Sequence, residues 1–339
     1  MNNKIFKFGI IGCGVISEIH ARAIEAMEDA VLAGVYSDIA PQMQAFAEKH
    51  NCSCYDSVEA MMADPEVDII NICVPSGLHA KFAIMAANAG KHIVVEKPMA
   101  ITEEQLDEVI RAVKENGVKT AVISQLRFGE AFLKVKNAID SGLLGRIYTA
   151  DCRMRYYRSE EYYRTGGWRG TWEMDGGGAF MNQGIHGIDL LQHLMGGIKS
   201  VYADCRTIAR PIQTEDNANM LVEYNNGAIG VVQGSTICDP SEPRTITING
   251  EKGTIVLQED AIVQWDIAGD TAEVGQTEMG AFKDPTAINF AFHQYQFTDL
   301  VNAIRENRKP TVDELEGRKA VDIILAAYRS SKTGTRQFL

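Results

Sequence analysis

The stretch Phe8–Ser17 reads FGIIGCGVIS, an apolar run that breaks at Gly12 and Gly14 and continues into a helix-like segment. A strand that ends in such a turn leaves backbone N–H groups at a helix N-terminus, where they can bind a pyrophosphate. Alone, this fingerprint is a weak signal, because an isolated match is about as often a glycine turn without a ligand. The fingerprint therefore indicates dinucleotide binding only if other residues of the chain support it.

Composition limits the classes of protein to which the chain can belong. Its 339 residues suit two domains, and 45% hydrophobic with 23% charged residues is typical of a globular protein. A formal net charge of −12 argues against a nucleic-acid partner. No apolar run approaches the roughly 20 residues that span a bilayer, and Ile5–Ile11 is too short for a secretory segment. Seven scattered cysteines without a C-x-x-C motif indicate reduced thiols, and hence a cytoplasmic protein without disulfides or a zinc site.

The first third of the chain alternates strands and helices. Strands are predicted at Ile5–Ile11, Val31–Tyr36, Val67–Val74, His92–Val95 and Lys119–Ser124. Helices are predicted from about Ser17, from Pro41 to about Lys49, from Leu78 to Gly90 and from a capping box at Thr102 and Gln105 to Gly117. This alternation predicts right-handed crossovers and a parallel sheet, as in a Rossmann domain covering residues 1–124.

The pattern changes after Arg146, where short strand-like segments are separated by turns. They are predicted at Ile147–Arg155, Val201–Ile208, Ala218–Tyr224, Ala228–Ser235, Arg244–Asn249, Thr254–Gln258 and Ile262–Trp265. Helices are predicted at Ala179–Leu194, Ile288–Arg305 and about Gly317–Ser330. Hairpin signals at Asn225-Asn226-Gly227 and Asn249-Gly250 favour a mainly antiparallel sheet. The sequence thus predicts an α/β protein whose second domain covers residues 125–339.

The cofactor predictions follow the ends of the parallel strands. Asp38 lies 21 residues after Ser17, where an acidic side chain accepts hydrogen bonds from ribose hydroxyls and repels a 2′-phosphate. This favours NAD, with NADP as the alternative; Asp38 could also simply begin the turn toward Pro41. His79 is a candidate neighbour of the nicotinamide ribose or a solvated residue at a helix start. The complete set of predicted cofactor contacts is Gly12, Gly14, Val15, Ile16, Asp38, Val74, Pro75, His79, Glu96 and Lys97.

Lys97 is the first catalytic candidate, because it emerges at the ligand-binding edge after the strand His92–Val95. A partly desolvated lysine beside a bound cofactor can donate a hydrogen bond to a substrate oxygen. Glu96 is expected to hold the lysine head in place, and Pro98 restricts the backbone of Lys97. By itself such a tripeptide is more often an ordinary surface salt bridge.

A second candidate site lies after Gly176-Gly177-Gly178. Asn182, His186, Asp189 and His193 fall on one stripe of the predicted helix Ala179–Leu194. His186 is the best general acid or base, because an unperturbed imidazole titrates near neutral pH. The alternatives are a satisfied structural histidine, or a metal site from His186, Asp189 and His193, which the spacing permits but does not favour.

Candidate substrate contacts flank these residues. Trp168 and Arg169 lie in an aromatic loop that could stack on a sugar and bind it with bidentate hydrogen bonds, or could pack at a subunit contact. Arg127 is a further candidate, and Asn182 and His186 complete the predicted substrate contacts. No metal ligand set is predicted.

Three segments together resemble the Gfo/Idh/MocA oxidoreductase family: GIIGCGVIS, VPSGLHAKFAIMAANAGKHIVVEKPMA and GGGAFMNQGIHGIDLL. The resemblance extends over nearly the whole chain. It implies a Rossmann domain, a second α/β domain with an open, mostly antiparallel sheet, and Lys97 as the family's catalytic lysine. It also implies a homodimer or homotetramer formed through the open sheet face.

The resemblance implies hydride transfer between NAD(H) and a secondary alcohol or ketone of a sugar, glycoside, cyclitol or sugar nucleotide. The family often has aspartate where Asn182 stands, which weakens an assignment as an inositol dehydrogenase. Members resembling nucleotide-sugar dehydrogenases carry asparagine. Alternatives are redox-neutral glycoside chemistry through transient oxidation at C3, or a non-catalytic sensor, which would be expected to lack Lys97 or His186.

Overall fold

The computed structural model describes residues 4–275 and 289–339, and the chain divides into two compact units. The first unit comprises Met1–Gln125 and Ile288–Arg318, and the second comprises Leu126–Ala287 and Lys319–Leu339. The first break between the units thus falls after residue 125, and Ile288–Arg318 is grouped with the first unit. The domain limits 1–124 and 125–339 stay a prediction from the sequence.

The first unit contains a six-stranded parallel sheet, as predicted. Its strands are β1 (Phe6–Ile11), β2 (Ala30–Tyr36), β3 (Ser53–Cys54), β4 (Ile69–Ile72), β5 (His92–Val95) and β6 (Thr120–Val122). They are arranged in the order β3-β2-β1-β4-β5-β6, with every neighbouring pair parallel. This is the strand order of a Rossmann fold, in which ligands bind where the order reverses, between β1 and β4.

Ten α-helices occur in the described residues. They are α1 (Val15–Glu25), α2 (Ala40–His50), α3 (Val58–Ala63), α4 (His79–Asn88), α5 (Glu103–Asn116), α6 (Glu130–Asp140), α7 (Glu160–Arg164), α8 (Ile185–Leu194), α9 (Ala291–Arg305) and α10 (Glu314–Thr333). The predicted cap of α5 is confirmed, since Thr102 Oγ1 accepts a hydrogen bond from the Gln105 N–H. Helix α9 begins at Ala291, whereas the predicted start, Ile288, lies outside the described residues. None of these helices combines the length and the apolar character needed to cross a membrane.

Helix α9 belongs to the first unit because it completes that unit's core. Phe297 is fully buried and stacks on Phe8 of β1, with ring centroids 6.1 Å apart. The Gln296 amide extends the end of β6, because Nε2 donates to the Val122 carbonyl and Oε1 accepts from the Ser124 N–H. These contacts join residues more than 170 positions apart, so no local pattern in the sequence reveals them.

The second unit contains the predicted mostly antiparallel sheet of eight strands. They are β7 (Ile147–Arg155), β8 (Ile198–Arg206), β9 (Asn217–Tyr224), β10 (Ile229–Ser235), β11 (Thr245–Gly250), β12 (Gly253–Gln258), β13 (Ala261–Ile267) and β14 (Gln337–Phe338). Their order is β13-β12-β11-β7-β10-β9-β8-β14, and β7 with β10 is the parallel pair. Gly227 adopts φ +84° in the predicted hairpin between β9 and β10, which only glycine adopts readily.

One face of this sheet exposes apolar side chains. Tyr202 pairs in register with Leu221, and these side chains are 44% and 53% exposed, while nearby Ile229 is 64% exposed. An apolar row of this kind on an open sheet is typical of an interaction surface. Self-association through this face stays a prediction, which light scattering of the purified protein tests.

Replacing Phe297 tests whether α9 is part of the first unit's core. We expect Phe297→Ala to destabilise the protein by about 3–5 kcal/mol, because it leaves a cavity between α9 and β1. Tyr295→Ala on the same helix is the control, since Tyr295 is 50% exposed and its truncation is expected to change stability by at most about 0.5 kcal/mol. Urea unfolding followed by far-ultraviolet circular dichroism measures both. Equal effects of the two substitutions would contradict the packing of α9.

Candidate active site

The glycine turn after β1 meets two different spatial demands. Gly12 has φ +102°, and a Cβ there would lie 2.3 Å from the Cys73 carbonyl oxygen, so close packing requires glycine. Gly14 is the N-cap of α1, and a Cβ there would meet no atom within 4 Å. Ser17 does not cap the helix; its hydroxyl is buried and donates to the Gly14 carbonyl over 2.6 Å.

The residues around this turn fit a dinucleotide. No side chain caps α1, so its first N–H groups are available to a pyrophosphate, and Val15 beside them is 56% exposed. The end of β1 is in register with the end of β2, and the exposed Asp38 follows β2 by two residues. Open space above Gly14, an uncapped helix terminus and an exposed carboxylate together match the three predicted contacts of pyrophosphate and ribose.

His79 lies inside the first unit rather than at a solvated helix start. It is 2% exposed, and its ring nitrogens lie 2.6 Å from the Pro98 carbonyl oxygen and 2.8 Å from the Val74 carbonyl oxygen. Burial lowers the pKa of His79, and a neutral imidazole donates from one nitrogen only. His79 therefore lies between the loop after β4 and the loop that carries Lys97 and, when neutral, donates a hydrogen bond to one of these two carbonyls. Val74 and Pro75 are half-buried at the same sheet edge.

Lys97 follows β5 at the predicted edge and is half-buried between buried neighbours. The structure gives Glu96 contacts that the sequence does not reveal. One carboxylate oxygen accepts a hydrogen bond from the Lys97 backbone N–H at 3.0 Å, and the other lies 3.0 Å from His20 Nε2. The Lys97–Pro98 peptide is cis.

The predicted helix Ala179–Leu194 is two segments. Ala179–Gly184 is a π-helix, and α8 begins at Ile185, so Asn182 and His186 do not share one regular α-helical stripe. Single π-helical turns occur frequently at functional sites. Across residues 179–194, the side chains that are not buried are those of Asn182, Gln183, His186 and His193. Of the predicted polar stripe, Asn182, His186 and His193 are therefore accessible, whereas Asp189 is buried.

Asn182 is part of a hydrogen-bonded group that includes a buried carboxylate. Its amide Nδ2 donates to Asp175 Oδ1, and Asp175 Oδ2 accepts from the Gly170 N–H at 2.8 Å. On the other side, Gln183 Nε2 donates to Asn182 Oδ1 at 2.7 Å. Asp175 is 1% exposed. Sequence reasoning missed Asp175 and Gln183, although Asp175 directly precedes the glycine run.

Glu215 and Tyr328 hold the glycine run in place. The Glu215 carboxylate is buried and accepts hydrogen bonds from the N–H groups of Gly178 and Phe180 and from the Tyr328 hydroxyl. A Cβ at Gly178 would lie 2.0 Å from the Glu215 carbonyl oxygen, and one at Gly177 would lie 2.0 Å from the Tyr328 hydroxyl. Glycine is therefore required at Gly177 and Gly178 because these side chains and this backbone approach so closely.

Arg127 is engaged within the second unit. Its guanidinium forms a two-pronged ion pair with Asp189 on α8 and lies 3.1 Å from His193 Nδ1. Arg127 and Asp189 are buried, so this pair fixes α8 against the chain segment before α6. The guanidinium that the sequence offers as a substrate contact is thus already engaged by Asp189. The same cation makes the predicted metal alternative at His186, Asp189 and His193 unfavourable.

Arginines and aromatic rings alternate in the loop before the glycine run. The Arg169 guanidinium lies 4.5 Å from the Tyr162 ring centroid and 5.3 Å from that of Trp168. Arg158 is buried near Tyr162, and its Nε donates to Gln183 Oε1. This chain of contacts connects the predicted substrate residues Trp168 and Arg169 to the Asn182 group within one unit.

Among the described residues, one group has the spacing of a metal-ligand set. His20, Glu96 and His293 are buried in the first unit, and their potential ligand atoms lie within 4.8 Å of one another. The sequence predicts no metal site and does not single out His20. His20 lies on α1, one turn beyond Ser17, where a helix that begins at the glycine turn faces the sheet.

Comparison with known proteins covers both units. A model of an oxidoreductase family with an NAD-binding Rossmann fold matches residues 6–124. A model of the GFO/IDH/MocA C-terminal domain matches residues 132–256. Together the two matches cover well over half of the chain.

The similar proteins include dehydrogenases that act on sugars and cyclitols. The WlbA dehydrogenase of Bordetella pertussis, solved with NADH and UDP-GlcNAcA, is 35% identical with a TM-score of 0.89, and the match covers 99% of both chains. Myo-inositol 2-dehydrogenase of Thermotoga maritima is 26% identical over 96% of both chains. D-glucoside 3-dehydrogenase of Escherichia coli is 26% identical over 99% of this chain and 98% of its own.

The buried Glu215 predicts a specific dependence of stability on pH. Burial raises the pKa of Glu215 to about 7, although its hydrogen bonds oppose this. Between the ordinary pKa of glutamate and about 7, the folded state therefore binds more protons than the unfolded state, and stability falls as pH rises. We expect Glu215→Gln to lose this pH-dependent part of the free energy of unfolding. The variant is therefore expected to be less stable than the wild type by a smaller amount at about pH 8 than at about pH 5.

Urea unfolding followed by tryptophan fluorescence measures this difference, because Trp168, Trp172 and Trp265 all lie in the second unit. Glu173→Gln is the control, since Glu173 is exposed. A deficit of Glu215→Gln that stays constant with pH would contradict the raised pKa.

Proposed function

The chain belongs to the Gfo/Idh/MocA family of NAD(P)-dependent oxidoreductases, and we propose that it is a dehydrogenase for a nucleotide-linked sugar that carries an acidic group. The observation that carries this proposal is the 35% identity, over 99% of both chains, with a dehydrogenase solved with NADH and UDP-GlcNAcA. Asn182 agrees with it, because the family resemblance associates asparagine at this position with members similar to nucleotide-sugar dehydrogenases.

The first unit is an NAD-binding Rossmann domain. In the proposed complex, the N-terminus of α1 and Gly14 hold the pyrophosphate, and Asp38 accepts hydrogen bonds from the ribose hydroxyls. Val15, Ile16, Val74 and Pro75 border the dinucleotide. The chemistry that the nicotinamide supplies when bound is hydride exchange.

The chain's own residues handle the substrate oxygen and its proton. In the direction of oxidation, neutral His186 accepts the proton of a substrate hydroxyl. The Lys97 ammonium donates a hydrogen bond to a substrate oxygen on which negative charge develops. Asn182 orients a substrate hydroxyl through its amide. In the direction of reduction, His186 returns the proton to the oxygen and Lys97 polarises the carbonyl.

The loop before the glycine run, which carries Tyr162, Trp168 and Arg169, supports an anionic substrate. The chain has a net charge of −12, which repels anions at long range, so an acidic ligand needs local cations. Arg169 and Arg158 supply guanidinium groups beside the Asn182 group, and guanidinium matches carboxylate and phosphate geometry. We propose that Arg169 binds an acidic group of the substrate and that Trp168 contacts its sugar.

An assay of nicotinamide reduction tests the activity and the substrate class. We expect NAD to be reduced with UDP-GlcNAcA but at least about 100-fold more slowly with N-acetylglucosamine, myo-inositol or a simple D-glucoside, which lack the anionic groups. Lys97→Ala and His186→Ala are each expected to lower kcat by about 100-fold or more, because they remove interactions made in the transition state.

Lys81→Ala is the control for these variants, because Lys81 is an exposed lysine of the same unit. Reduction of NAD with myo-inositol or a D-glucoside alone would contradict the proposed substrate class but would still support dehydrogenase activity. Full activity of Lys97→Ala on any substrate would contradict the proposed role of Lys97.

Asp38 sets the proposed preference for NAD over NADP. We expect Asp38→Ser to raise the KM for NAD and to shift the NADP-to-NAD ratio of kcat/KM upward by about 10-fold or more, because it removes a charge that repels a 2′-phosphate. Asp56→Ala, at another exposed position of the first unit, is expected to leave the ratio unchanged. An unchanged ratio in Asp38→Ser would show that Asp38 only begins the turn before α2.

A further inference from the structure

Three buried titratable side chains of the first unit have no part in the chemistry proposed above. His20 and His293 are 0% exposed and Glu96 is 6% exposed. They come from α1, the end of β5 and α9, so three separate parts of the chain converge on one point. One member of the cluster, Glu96, directly precedes Lys97 in the chain.

Glu96 links this cluster to Lys97 through both of its carboxylate oxygens. Oε1 lies 3.0 Å from His20 Nε2, and Oε2 accepts the Lys97 N–H at 3.0 Å. The other nitrogen of His20, Nδ1, lies 3.3 Å from Asn71 Nδ2 and 3.3 Å from Cys73 Sγ. Because both neighbours are donors, Nδ1 acts as the acceptor and Nε2–H donates to Glu96.

The surroundings keep Glu96 ionised despite its burial. Burial raises the pKa of a carboxyl group, but the hydrogen bond from His20 and the charge of Lys97 oppose it and hold the pKa of Glu96 well below its ordinary value. The same Coulomb attraction acts in return on Lys97, because an interaction energy is shared by both partners.

Helix α9 closes the cluster with aromatic rings. The His293 ring centroid lies 5.4 Å from that of His20, and the Phe297 ring centroid lies 5.1 Å from it. Burial lowers the pKa of His293 to about 3, an effect that the Asn289 carbonyl only partly offsets. Neither ring nitrogen of His293 makes a well-formed hydrogen bond within the described residues, so His293 packs against the cluster as a neutral aromatic ring.

The geometry does not favour a metal ion at this cluster, although the spacing permits one. Both oxygens of Glu96 are already occupied by N–H donors, and the positive charge of Lys97 acts on the same carboxylate. A bound cation would have to displace the His20 hydrogen bond and would be repelled by Lys97. The existing contacts satisfy Glu96 without it.

We propose that Glu96 is a positioning residue for Lys97: oriented by His20 and shielded by His293 and Phe297, its carboxylate fixes the Lys97 peptide and keeps the Lys97 side chain in the ammonium form that donates to a substrate oxygen. This inference rests on the role proposed for Lys97, but its central physical claim concerns the protonation of Lys97 in the protein without substrate. The titratable groups that act on Glu96 from the packed elements are His20, Cys73, His79, Lys97 and His293.

The test is the pH dependence of Lys97 labelling. The purified protein is treated with acetic anhydride at a series of pH values, and acetylation of Lys97 is quantified by mass spectrometry. Only the neutral amine reacts, so the midpoint reports the protonation of Lys97. We expect Glu96→Gln to shift this midpoint to lower pH by about one unit. Glu96→Asp keeps the charge and is expected to restore most of the shift, whereas a purely structural role would not distinguish the two variants.

Kinetics give a second readout. Glu96→Gln is expected to lower kcat by about 10-fold or more with less than about a threefold change in the KM for NAD, and to move the alkaline loss of activity to lower pH. Glu108→Gln, an exposed position on α5, is the control and is expected to match the wild type. If Glu96→Gln does not fold, His20→Gln is used to test the positioning role. It is expected to misorient the Glu96 carboxylate and thereby also to lower the pH midpoint of Lys97 labelling.

The outcomes separate this inference from the proposed function. An unchanged labelling midpoint in Glu96→Gln, or in His20→Gln where the first variant does not fold, would overturn the positioning role whatever the activity. A shifted midpoint in a protein that reduces NAD with none of the tested substrates would support the Glu96–Lys97 coupling and contradict the proposed substrate class.

Discussion

A carboxylate that is removed from water must be supplied with hydrogen-bond donors, and both units of this protein meet this requirement in a way that shapes their functional segments. In the first unit, Glu96 takes its donors from His20 and from the Lys97 peptide. In the second unit, Glu215 takes them from the Gly178 and Phe180 peptides and from Tyr328. Each carboxylate thereby fixes the backbone that carries a predicted catalytic residue.

The two carboxylates differ in charge because their donors differ. Glu96 has an imidazole donor and a nearby lysine, and its pKa lies below the ordinary value. Glu215 has neutral donors only, and burial raises its pKa to about 7. The first carboxylate can therefore act electrostatically on its neighbours at neutral pH, whereas the second acts mainly as an anchor for the turn before Asn182.

Local patterns in the sequence predict the elements well and their long-range partners poorly. The buried strand at Ile69–Ile72 and the cap at Thr102 depend on neighbouring residues, and both are confirmed. At the π-helix Ala179–Gly184, backbone N–H groups bind Glu215, some 35 positions away. The α-helical period of the local sequence therefore predicts the wrong helical geometry there. For the same reason, the sequence does not reveal the partners of α9, because Phe8 and Val122 lie far away in the chain.

In the candidate site, too, the sequence predicts the types of residue but not the contacts that surround them. The family resemblance singles out Asn182 as a neutral residue where the family often has aspartate. The structure adds Asp175, a buried carboxylate that accepts a hydrogen bond from the Asn182 amide. This contact orients the amide so that Oδ1 faces Gln183 and, through it, the Arg158 guanidinium. The Asp175 carboxylate thus lies one hydrogen bond away from Asn182 and orients its amide. Under the proposed function, a neutral Asn182 positions a substrate hydroxyl group without placing its own carboxylate beside the acidic group of the substrate, which would repel it.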